Sequence, residues 1–402
     1  MSKLVPKLRF KEFSGEWEEN SIGKLFKTYS GGTPSTTNKS YYGGDIPFIR
    51  SAEINKFKTE LFLTDKGLKN SSAKLVKKGD VLYALYGANS GDVAISKIDG
   101  AINQAILCLY SEKDSNSFLY YNLDNLKNKI INQYIQGGQG NLSGDIIKSL
   151  KILIPTPKEQ QKIANTLSSL DSLIEAQQRK VEALKKHKKG LMQQLFPAEG
   201  VNVPKLRFKE FSGEWEERKL GDVFNYKNGG SFEKYIVKNG EYNLITLNSI
   251  DISGELKKEH KTIDFQSEFL NKNDLVMVLS DVAHGNFLGL TAIIPENEKY
   301  ILNQRMGALK LKTLDNIEYL RFYINNNQKY FKTHGHGSSQ QNLSKNDILG
   351  FKIKLPTPKE QQKIANTLSS LDSLIEAQQR KVEALKKHKK GLMQQMFVSG
   401  EG

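Results

Sequence analysis

A verbatim internal repeat constrains this chain more than any other feature of its sequence. The stretch Pro155–Gln194 returns without a single change as Pro356–Gln395. A shorter repeat, VPKLRFKEFSGEWEE, occupies Val5–Glu19 and returns as Val203–Glu217. The period of about 200 residues is too long for a solenoid, so it indicates a tandem duplication of a domain followed by a helix.

The blocks between the repeats, 20–154 and 218–355, have diverged but remain related. GAINQAILCLY in the first aligns with YILNQRMGALKL in the second. Apolar runs such as GDVLYALYG and DLVMVL predict strands, and NSFLYYNLDNLKNKIINQYI has the spacing of a helix. Clusters rich in Gly, Ser, Asn and Gln, among them IQGGQGNLSG and HGHGSSQQNLS, predict loops. We therefore expect an α+β fold with two mixed α/β domains built on one scaffold.

The long repeat predicts one continuous helix. Thr156 and Thr357 each precede a proline that suits the first helical position. Apolar residues then recur at steps of four and three, which is the seam of a coiled coil. A helix from Glu159 to Leu195 would be about 55 Å long. The predicted seam residues of the helix pair are Ile163, Leu167, Leu170, Ile174, Gln177, Val181, Leu184, Leu191, Ile364, Leu368, Leu371, Ile375, Gln378, Val382, Leu385 and Leu392.

A helix with such a seam needs a partner, because it cannot bury the seam alone. The identical copy in the same chain is one candidate partner. The alternative is that each long helix lies on its own domain as a separate amphipathic helix. The seam residues alone leave both parallel and antiparallel pairing open.

The composition favours a polyanionic partner and offers no sign of catalysis. The chain of 402 residues carries 59 Lys and Arg against 44 Asp and Glu, for a formal charge of +15. The single cysteine, Cys108, fits a reducing cytoplasm and a buried structural role. No apolar run is long enough for a membrane span, and neither a methyltransferase motif nor a phosphate loop is present. HGH at 334–336 lacks further ligands at metal spacing, so we predict no metal site and no catalytic residues.

Several motifs together resemble one known family. GGTPS at Gly31–Ser35 is followed by YYGGDIPFIRSAEI at Tyr41–Ile54, and each divergent block is followed by PTPKEQQKIA. With the duplicated plan, these motifs resemble the specificity subunit of a type I restriction–modification system over nearly the whole chain. The second block departs from the pattern, since NGGSFEKY at Asn228–Tyr235 replaces the GGTPS form. That departure implies that the two domains read different sequences.

The resemblance implies an architecture and a set of partners. Two target-recognition domains would each read half of a split double-stranded DNA site. The two long helices would pair as an antiparallel coiled coil with pseudo-twofold symmetry, separate the domains and fix the unread spacer. Two methylation subunits would dock on the repeats, and restriction subunits would join through the complex. This chain would hold no cofactor, because S-adenosylmethionine and ATP are expected on the partner subunits.

The resulting division of the chain has five parts. We expect the first recognition domain at 1–154 and the second at 198–355, each including one short repeat. The long helices would occupy 155–197 and 356–397, followed by a tail at 398–402.

Base reading requires side chains that make paired hydrogen bonds, and phosphate contacts require basic, hydroxyl and amide groups. The polar loop clusters supply both kinds of group. In the first domain the candidate DNA-binding residues are Ser35, Thr36, Tyr42, Arg50, Asn89, Ser90, Gln104, Gln136, Gln139 and Asn141. In the second domain they are Lys227, Ser231, Lys234, Asn248, His284, Asn286, Arg305, His336, Ser339 and Gln340.

Two other functions remain open at the level of sequence. One is a duplicated basic regulator that binds DNA without a modification partner. The other is a stand-alone enzyme, such as a nuclease or a fused methyltransferase, against which the missing motifs argue. Binding to a methylation subunit separates the first alternative from a specificity subunit, and an activity assay separates the second.

Overall fold

The computed structural model describes residues 4–134, 141–282 and 286–398. The chain forms two compact units. The first unit consists of Met1–Gln178 together with Arg380–Gly402, and the second consists of Arg179–Gln379. Each unit therefore contains one divergent block and parts of both long repeats.

Among the described residues, the first unit is built from ten strands, four whole helices and parts of both long helices. Its strands are β1 (Glu18–Ser21), β2 (Lys27–Ser30), β3 (Tyr42–Ile49), β4 (Leu61–Leu63), β5 (Lys74–Val76), β6 (Val81–Ala84), β7 (Val93–Ile95), β8 (Gly100–Ile102), β9 (Ile106–Tyr110) and β10 (Lys151–Ile154). Its α-helices are α1 (Ile22–Leu25), α2 (Asp65–Lys69), α3 (Asn116–Tyr134), α4 (Gly144–Ser149) and the first half of α5 (Pro157–Leu195). Short 3₁₀ turns lie at Lys39–Tyr41, Ser51–Glu53 and Gly87–Asn89.

Two four-stranded sheets form the body of the first unit. One is antiparallel, with the order β2-β9-β6-β7. The other has the order β4-β3-β8-β5, in which β3 and β8 run parallel. Strand β1 pairs with β10 and so closes the domain directly before α5.

The sequence of the central strand β6 is apolar throughout because both faces of the strand are buried. Val81 and Tyr83 belong to the core shared with α3, whereas Leu82 and Ala84 belong to the core shared with the second sheet. A strand that is buried on both faces reads as a continuous apolar run. Cys108 on the neighbouring strand is fully buried, and this burial raises the pKa of its thiol to about 12.

The second unit repeats this plan. Its strands are β11 (Glu216–Lys219), β12 (Phe224–Asn228), β13 (Ile236–Val237), β14 (Tyr242–Ile245), β15 (Lys261–Ile263), β16 (Leu275–Val278), β17 (Ser280–Val282), β18 (Thr291–Ile293), β19 (Tyr300–Leu302), β20 (Met306–Leu311), β21 (Gln340–Asn342) and β22 (Lys352–Leu355). Its α-helices are α6 (Leu220–Val223), α7 (Ile317–Asn326), α8 (Gln328–Thr333), α9 (Lys345–Leu349) and the first half of α10 (Pro358–Met396). Its 3₁₀ turns lie at Glu233–Tyr235 and Leu247–Ser249.

The sheets of the second unit correspond to those of the first. The order β12-β20-β16-β18 matches β2-β9-β6-β7, and β14 pairs in parallel with β19 as β3 does with β8. Strand β11 pairs with β22 before α10. One scaffold has thus been kept twice, which confirms the duplicated α+β fold expected from the sequence.

The two long helices begin where the sequence predicts. Each starts at the proline that follows Thr156 or Thr357, and each runs for 39 residues. All sixteen predicted seam residues are buried or half-buried, whereas Leu173 and Leu374 outside the seam are exposed. The apolar spacing therefore does mark the inward-facing side of each helix.

Within the first unit, the first half of α5 packs antiparallel to the second half of α10. Asp171 on α5 forms a salt bridge with Lys389 on α10 at 2.6 Å. Met396, at the end of α10, lies in the same hydrophobic core as Ile163, near the start of α5. Residue numbers thus fall along α10 as they rise along α5. The ammonium of Lys389 also lies 5.0 Å from the centre of the Tyr121 ring on α3.

Within the second unit, the complementary halves pack in the same way. Lys188 on α5 forms a salt bridge with Asp372 on α10 at 2.5 Å. Phe196, directly after α5, joins the core that contains Ile364. The second half of α5 is therefore part of the other domain's unit, so the alternative in which each helix lies wholly on its own domain is wrong. The antiparallel pairing implied by the family resemblance is confirmed within each unit.

The short repeat clasps both long helices within each unit. In the first unit, the Arg9 guanidinium makes two hydrogen bonds of 2.8 Å to the carboxylate of Glu159, in the first turn of α5. The Leu8 amide donates to the carbonyl of Gln395, near the end of α10. The second unit repeats both contacts, through Arg207 with Glu360 and through Leu206 with Gln194.

We expect Arg9→Ala to destabilise the first unit by about 3 kcal/mol, because it leaves the carboxylate of Glu159 buried and unpaired. Arg207→Ala should cost the second unit a similar amount, since Glu159 and Glu360 are both only 1% exposed. Urea unfolding, monitored separately in each unit by amide hydrogen exchange, measures both losses of stability. Lys7→Ala, an exposed neighbour in the same repeat, is the control. A loss under 1 kcal/mol in both arginine variants would contradict the clasp.

Candidate nucleic-acid interface

In both domains, a glycine loop packs against the turn that precedes the last strand of the antiparallel sheet. The Gly32 amide donates to the carbonyl of Ile102, and the Gly230 amide donates to the carbonyl of Leu302. A Cβ on Gly31 would lie 1.8 Å from the oxygen of Ile102, and one on Gly229 would lie 2.0 Å from a backbone oxygen. Only glycine allows so close an approach, so GG is retained in both domains while the following residues differ.

The turn itself carries the same dipeptide in both domains. Asn103-Gln104 precedes β9, and Asn303-Gln304 precedes β20. Both glutamine side chains are exposed. The Thr33 hydroxyl donates to Gln104 Oε1 at 2.6 Å, whereas Gln304 Nε2 donates to Glu233 Oε1 at 3.1 Å.

Of the residues predicted for the first domain, several are held by local contacts. Tyr42 donates its hydroxyl to the carbonyl of Pro34, and Ser90 donates to the carbonyl of Leu85. Ser35 lies 2.8 Å from the hydroxyl of Thr37, and Thr36 is exposed. Asn89 is half-buried, Gln104 and Asn141 are exposed, and Gln136 and Gln139 lie outside the described residues.

Arg50 is engaged inside its own domain. Its guanidinium donates to both carboxylate oxygens of Glu53 and, at 2.5 Å, to Glu60. The bonds to Glu53 and then to Glu60 raise the pKa of Arg50 above its ordinary value. A DNA contact by Arg50 stays a prediction, and it would compete with two carboxylates that already bind its charge.

The predicted residues of the second domain fall into three groups. Lys227 forms a salt bridge with Glu268, and Lys234 lies 4.9 Å above the Tyr235 ring. Asn286 is bonded to α8 through Gln328 and Lys332. Ser231, Asn248, Arg305 and Ser339 are exposed, as Lys227, Lys234 and Asn286 are, and His284 lies outside the described residues.

His336 and Gln340 belong to a two-stranded ribbon that the sequence did not predict. Strand β17 pairs with β21, and His336 bridges to Asn342 at its end. The Gln340 amide donates to Ser280 at 2.6 Å, and His336 Nε2 lies 3.4 Å from Asp347. The prediction of a loop throughout HGHGSSQQNLS is therefore wrong for its last part, because the distant segment 280–282 supplies the pairing partner. A ribbon of this kind has dimensions that fit the major groove of DNA.

Sequence reasoning missed three polar residues at these positions. Gln304 is exposed beside Arg305, and Gln341 and Asn342 lie on the ribbon. The alignment of NQ in the two blocks could have identified Gln304, since Gln104 at the equivalent position was among the predicted residues. No sequence signal marked the ribbon, whose partner strands are far apart in the chain.

A cavity of about 470 Å³ lies in the first unit where α3 meets the two long helices. Its lining includes Asp124 and Asp171 together with Lys386, Lys389 and Lys390. Burial raises the pKa of Asp124 above its ordinary value, and the nearby Lys389 and Lys127 oppose that effect. The cavity thus holds mixed charges, and its acidic groups distinguish it from a phosphate site.

The described residues contain no cluster of three or more His, Cys, Asp or Glu side chains able to hold a metal ion. His334 of the HGH segment instead stacks on Tyr330, with 3.9 Å between the ring centres. Among the same residues, no helix combines the length and the apolar character needed to cross a bilayer.

Comparison with known proteins identifies the family of these two domains. The family described as "Type I restriction modification DNA specificity domain" matches residues 14–186 and 212–387. The "Type I restriction enzyme MjaVIII specificity subunit" of Methanocaldococcus jannaschii is 28% identical over 96% of this chain and 94% of its own length. The MjaIX specificity subunit of the same organism is 31% identical over 54% of this chain and 53% of its own length.

Solved structures share the fold. The crystal structure of a type I restriction–modification S subunit from M. genitalium covers 99% of this chain and 100% of its own, with a TM-score of 0.62 and 17% identity. This likeness extends over both units. It supports the duplicated architecture that the strand order of the two domains already indicates.

We predict that Arg305→Ala will weaken binding to the cognate DNA by about 1–3 kcal/mol if the guanidinium reads a base. Arg305 is exposed on the turn before β20, where its five donors can reach an acceptor edge. Competition binding with the cognate site and with single-base variants measures the effect. A loss that is equal on every sequence would assign Arg305 to a phosphate contact instead.

We also expect Asp124→Asn to stabilise the first unit at pH 7. Because the pKa of Asp124 is raised in the folded state, the folded protein holds this proton more tightly than the unfolded chain does. Ionised Asp124 therefore costs stability at neutral pH, and this cost disappears below the ordinary pKa of aspartate, about 3.9.

Thermal unfolding of wild type and Asp124→Asn measures this dependence between about pH 3.5 and about pH 7.5. The range begins just below the ordinary pKa of aspartate, about 3.9. The two proteins should converge at the acidic end and separate as the pH rises. Asp45→Asn, a change at an exposed position, is the control. A variant that is less stable than wild type at pH 7 would show that attraction to Lys389 and Lys127 outweighs the cost of burial.

Proposed function

The chain belongs to the family of type I restriction–modification DNA specificity subunits, and from that premise we propose that each of its two domains reads one half of a bipartite DNA site. The domains share one sheet order but carry different residues after their glycine loops. A common scaffold with rewritten surface residues suits two readers of different sequences. Reading takes place through base edges, whereas the excess of positive charge supplies phosphate contacts.

One observation carries the proposal more than any other. The salt bridges Asp171–Lys389 and Lys188–Asp372 join the same two positions of the repeat. Each long helix supplies the aspartate of one bridge and the lysine of the other. Each unit therefore uses the start of one long helix and the end of the other. A site with a fixed gap requires a connection with few internal degrees of freedom, and two continuous helices supply it.

We propose that these helices set the length of the unread spacer. A helix of 39 residues is about 58 Å long at 1.5 Å per residue. One turn of DNA is about 34 Å, so helices of this length are sufficient to span the gap between two half-sites.

The identical repeats provide two equivalent surfaces, to which we assign two methylation subunits. Leu8 and Leu206 in the short repeats are 41% and 42% exposed, and Leu173 and Leu374 on the helices are also exposed. Exposed leucines at the same positions in both units suit two copies of one partner. Restriction subunits would join through that complex.

In this proposal the chain is a non-catalytic subunit that acts in the cytoplasm, where its DNA lies. S-adenosylmethionine would be bound by the methylation subunits and ATP by the restriction subunits. The chain's own work is recognition, positioning and docking. Its buried cysteine fits a reducing compartment.

The proposal predicts the outcome of duplicating one domain. Replacing residues 20–154 with a second copy of 218–355 should give a complex that modifies the second half-site at both ends, in inverted orientation, with the spacer unchanged. The antiparallel pairing of the helices within each unit predicts the inversion, and the untouched helices preserve the spacing. Base-resolution methylome sequencing of cells that carry the variant and the methylation subunit provides the measurement.

The unaltered chain in the same cells is the control for this exchange. Retention of the original first half-site by the variant would contradict the assignment of one half to each domain. A changed spacer with correct half-sites would contradict the role of the helices alone.

A further inference from the structure

We propose that Gln104 and Gln304 each read an adenine, one in each half-site, and that Thr33 and Glu233 position their amides. This inference rests on the proposed function and names the base readers within it. Its starting point is that the same dipeptide, Asn-Gln, stands before the last sheet strand in both domains, with its glutamine exposed. Around it the glycine loops diverge, from GGTPS to GGSFE.

The two glutamines occupy equivalent places. Each follows a strand that runs parallel to its neighbour, β8 beside β3 and β19 beside β14. Each strand's last residue accepts a hydrogen bond from the second glycine of the loop. The loop and the turn therefore form one compact element in each domain, and the glutamine side chain projects from it into solvent.

A different partner from the same loop holds each amide. In the second domain, Gln304 Nε2 donates to Glu233, whose other carboxylate oxygen lies 3.4 Å from the Ser231 hydroxyl. A carboxylate only accepts, so Glu233 fixes which end of the amide is nitrogen. In the first domain, the Thr33 hydroxyl donates to Gln104 Oε1.

The remaining amide groups match the major-groove edge of adenine. Within the described residues, the second N–H and the Oε1 of Gln304 have no further side-chain partner beyond the bond to Glu233. Gln104 Nε2 is likewise without a partner there, and Gln104 Oε1, which accepts from Thr33, retains a second lone pair. Adenine presents an N6 amino donor and an N7 acceptor, and glutamine pairs with both at once. After its bond to Glu233, Gln304 retains the one donor and one acceptor that this pairing needs.

The acidic residue itself supports this assignment. An exposed carboxylate next to a polyanion is unfavourable, and the chain is otherwise strongly basic. Orientation of the Gln304 amide, which reads the base, explains why an acidic residue stands at such a surface. A hydrogen bond that only joined the loop to the turn would not require a charged residue. In the first domain, a neutral threonine makes the corresponding hydrogen bond.

The test uses the full chain with its methylation subunit, and the readout is the base preference at every position of the modified site. We expect the unaltered complex to require, in each half-site, an adenine other than the base that it modifies, with about 10- to 100-fold discrimination against guanine at each. Gln304→Leu should remove this requirement in the second half-site only, and Gln104→Leu in the first only. Each variant is the matched control for the other.

Glu233→Gln tests the positioning role separately. A glutamine at 233 can donate as well as accept, so it permits both orientations of the Gln304 amide, and one of these suits the two acceptors of guanine. We expect preference for adenine over guanine to fall while affinity for the adenine site changes little. A structural role alone would lower affinity for all sites together, with the preference intact.

The outcomes separate this inference from the proposal beneath it. If wild type modifies a bipartite site and both glutamine-to-leucine variants modify the same site unchanged, the base assignment is wrong. The proposed function would still stand. A wild-type complex that modifies no bipartite site overturns the proposed function itself. Thermal unfolding of each variant, matched to wild type, confirms that the effects do not arise from misfolding.

Discussion

The structure depends on the way each compact unit is completed by a helix segment from the other half of the chain. Asp171 binds Lys389 in the first unit, and Asp372 binds Lys188 in the second. The side chains are partly buried, so these pairs are stronger than ordinary surface salt bridges. Each recognition domain also contacts the aspartate of its own unit, Asp171 through Tyr121 in the first and Asp372 through Arg321 in the second. The domains are thus fixed to the helix pair at equivalent points by unlike residues.

This arrangement explains how one chain combines identical and divergent segments. The repeats form the clasp of Arg9 with Glu159, the seam and the cross-helix pairs, all of which require matched partners. The divergent blocks need only preserve the two sheets and the glycine loop that packs on the Asn-Gln turn. Side chains that project from loop and turn are free to change, and we propose that base preference is set there. Gln104 and Gln304 are the exception, since they keep one residue type while their hydrogen-bond partners differ.

The sequence predicted the helices well because their signal is local and periodic. The proline starts and the seam of Ile163 and its successors follow from spacing within one segment. The duplicated domains follow from the repeats at distant positions of the chain. Antiparallel pairing required the family resemblance, since a heptad seam suits either direction. The β17–β21 ribbon and the engagement of Arg50 by Glu53 and Glu60 depend on long-range or side-chain geometry that spacing does not encode. The same limit applies to the candidate DNA contacts, because exposure and partners decide them.

A double-mutant cycle on the cross-helix pair tests the central claim most directly. Asp171→Asn keeps an acceptor for Tyr121, and Lys389→Met keeps the length of the side chain, so the cycle isolates the salt bridge. The account predicts a coupling of about 1 kcal/mol between these two changes in urea unfolding. It predicts no coupling between Asp171→Asn and Lys188→Met, which lie on the same helix. Additive effects for Asp171 with Lys389 would contradict the exchange of helix halves between the two units.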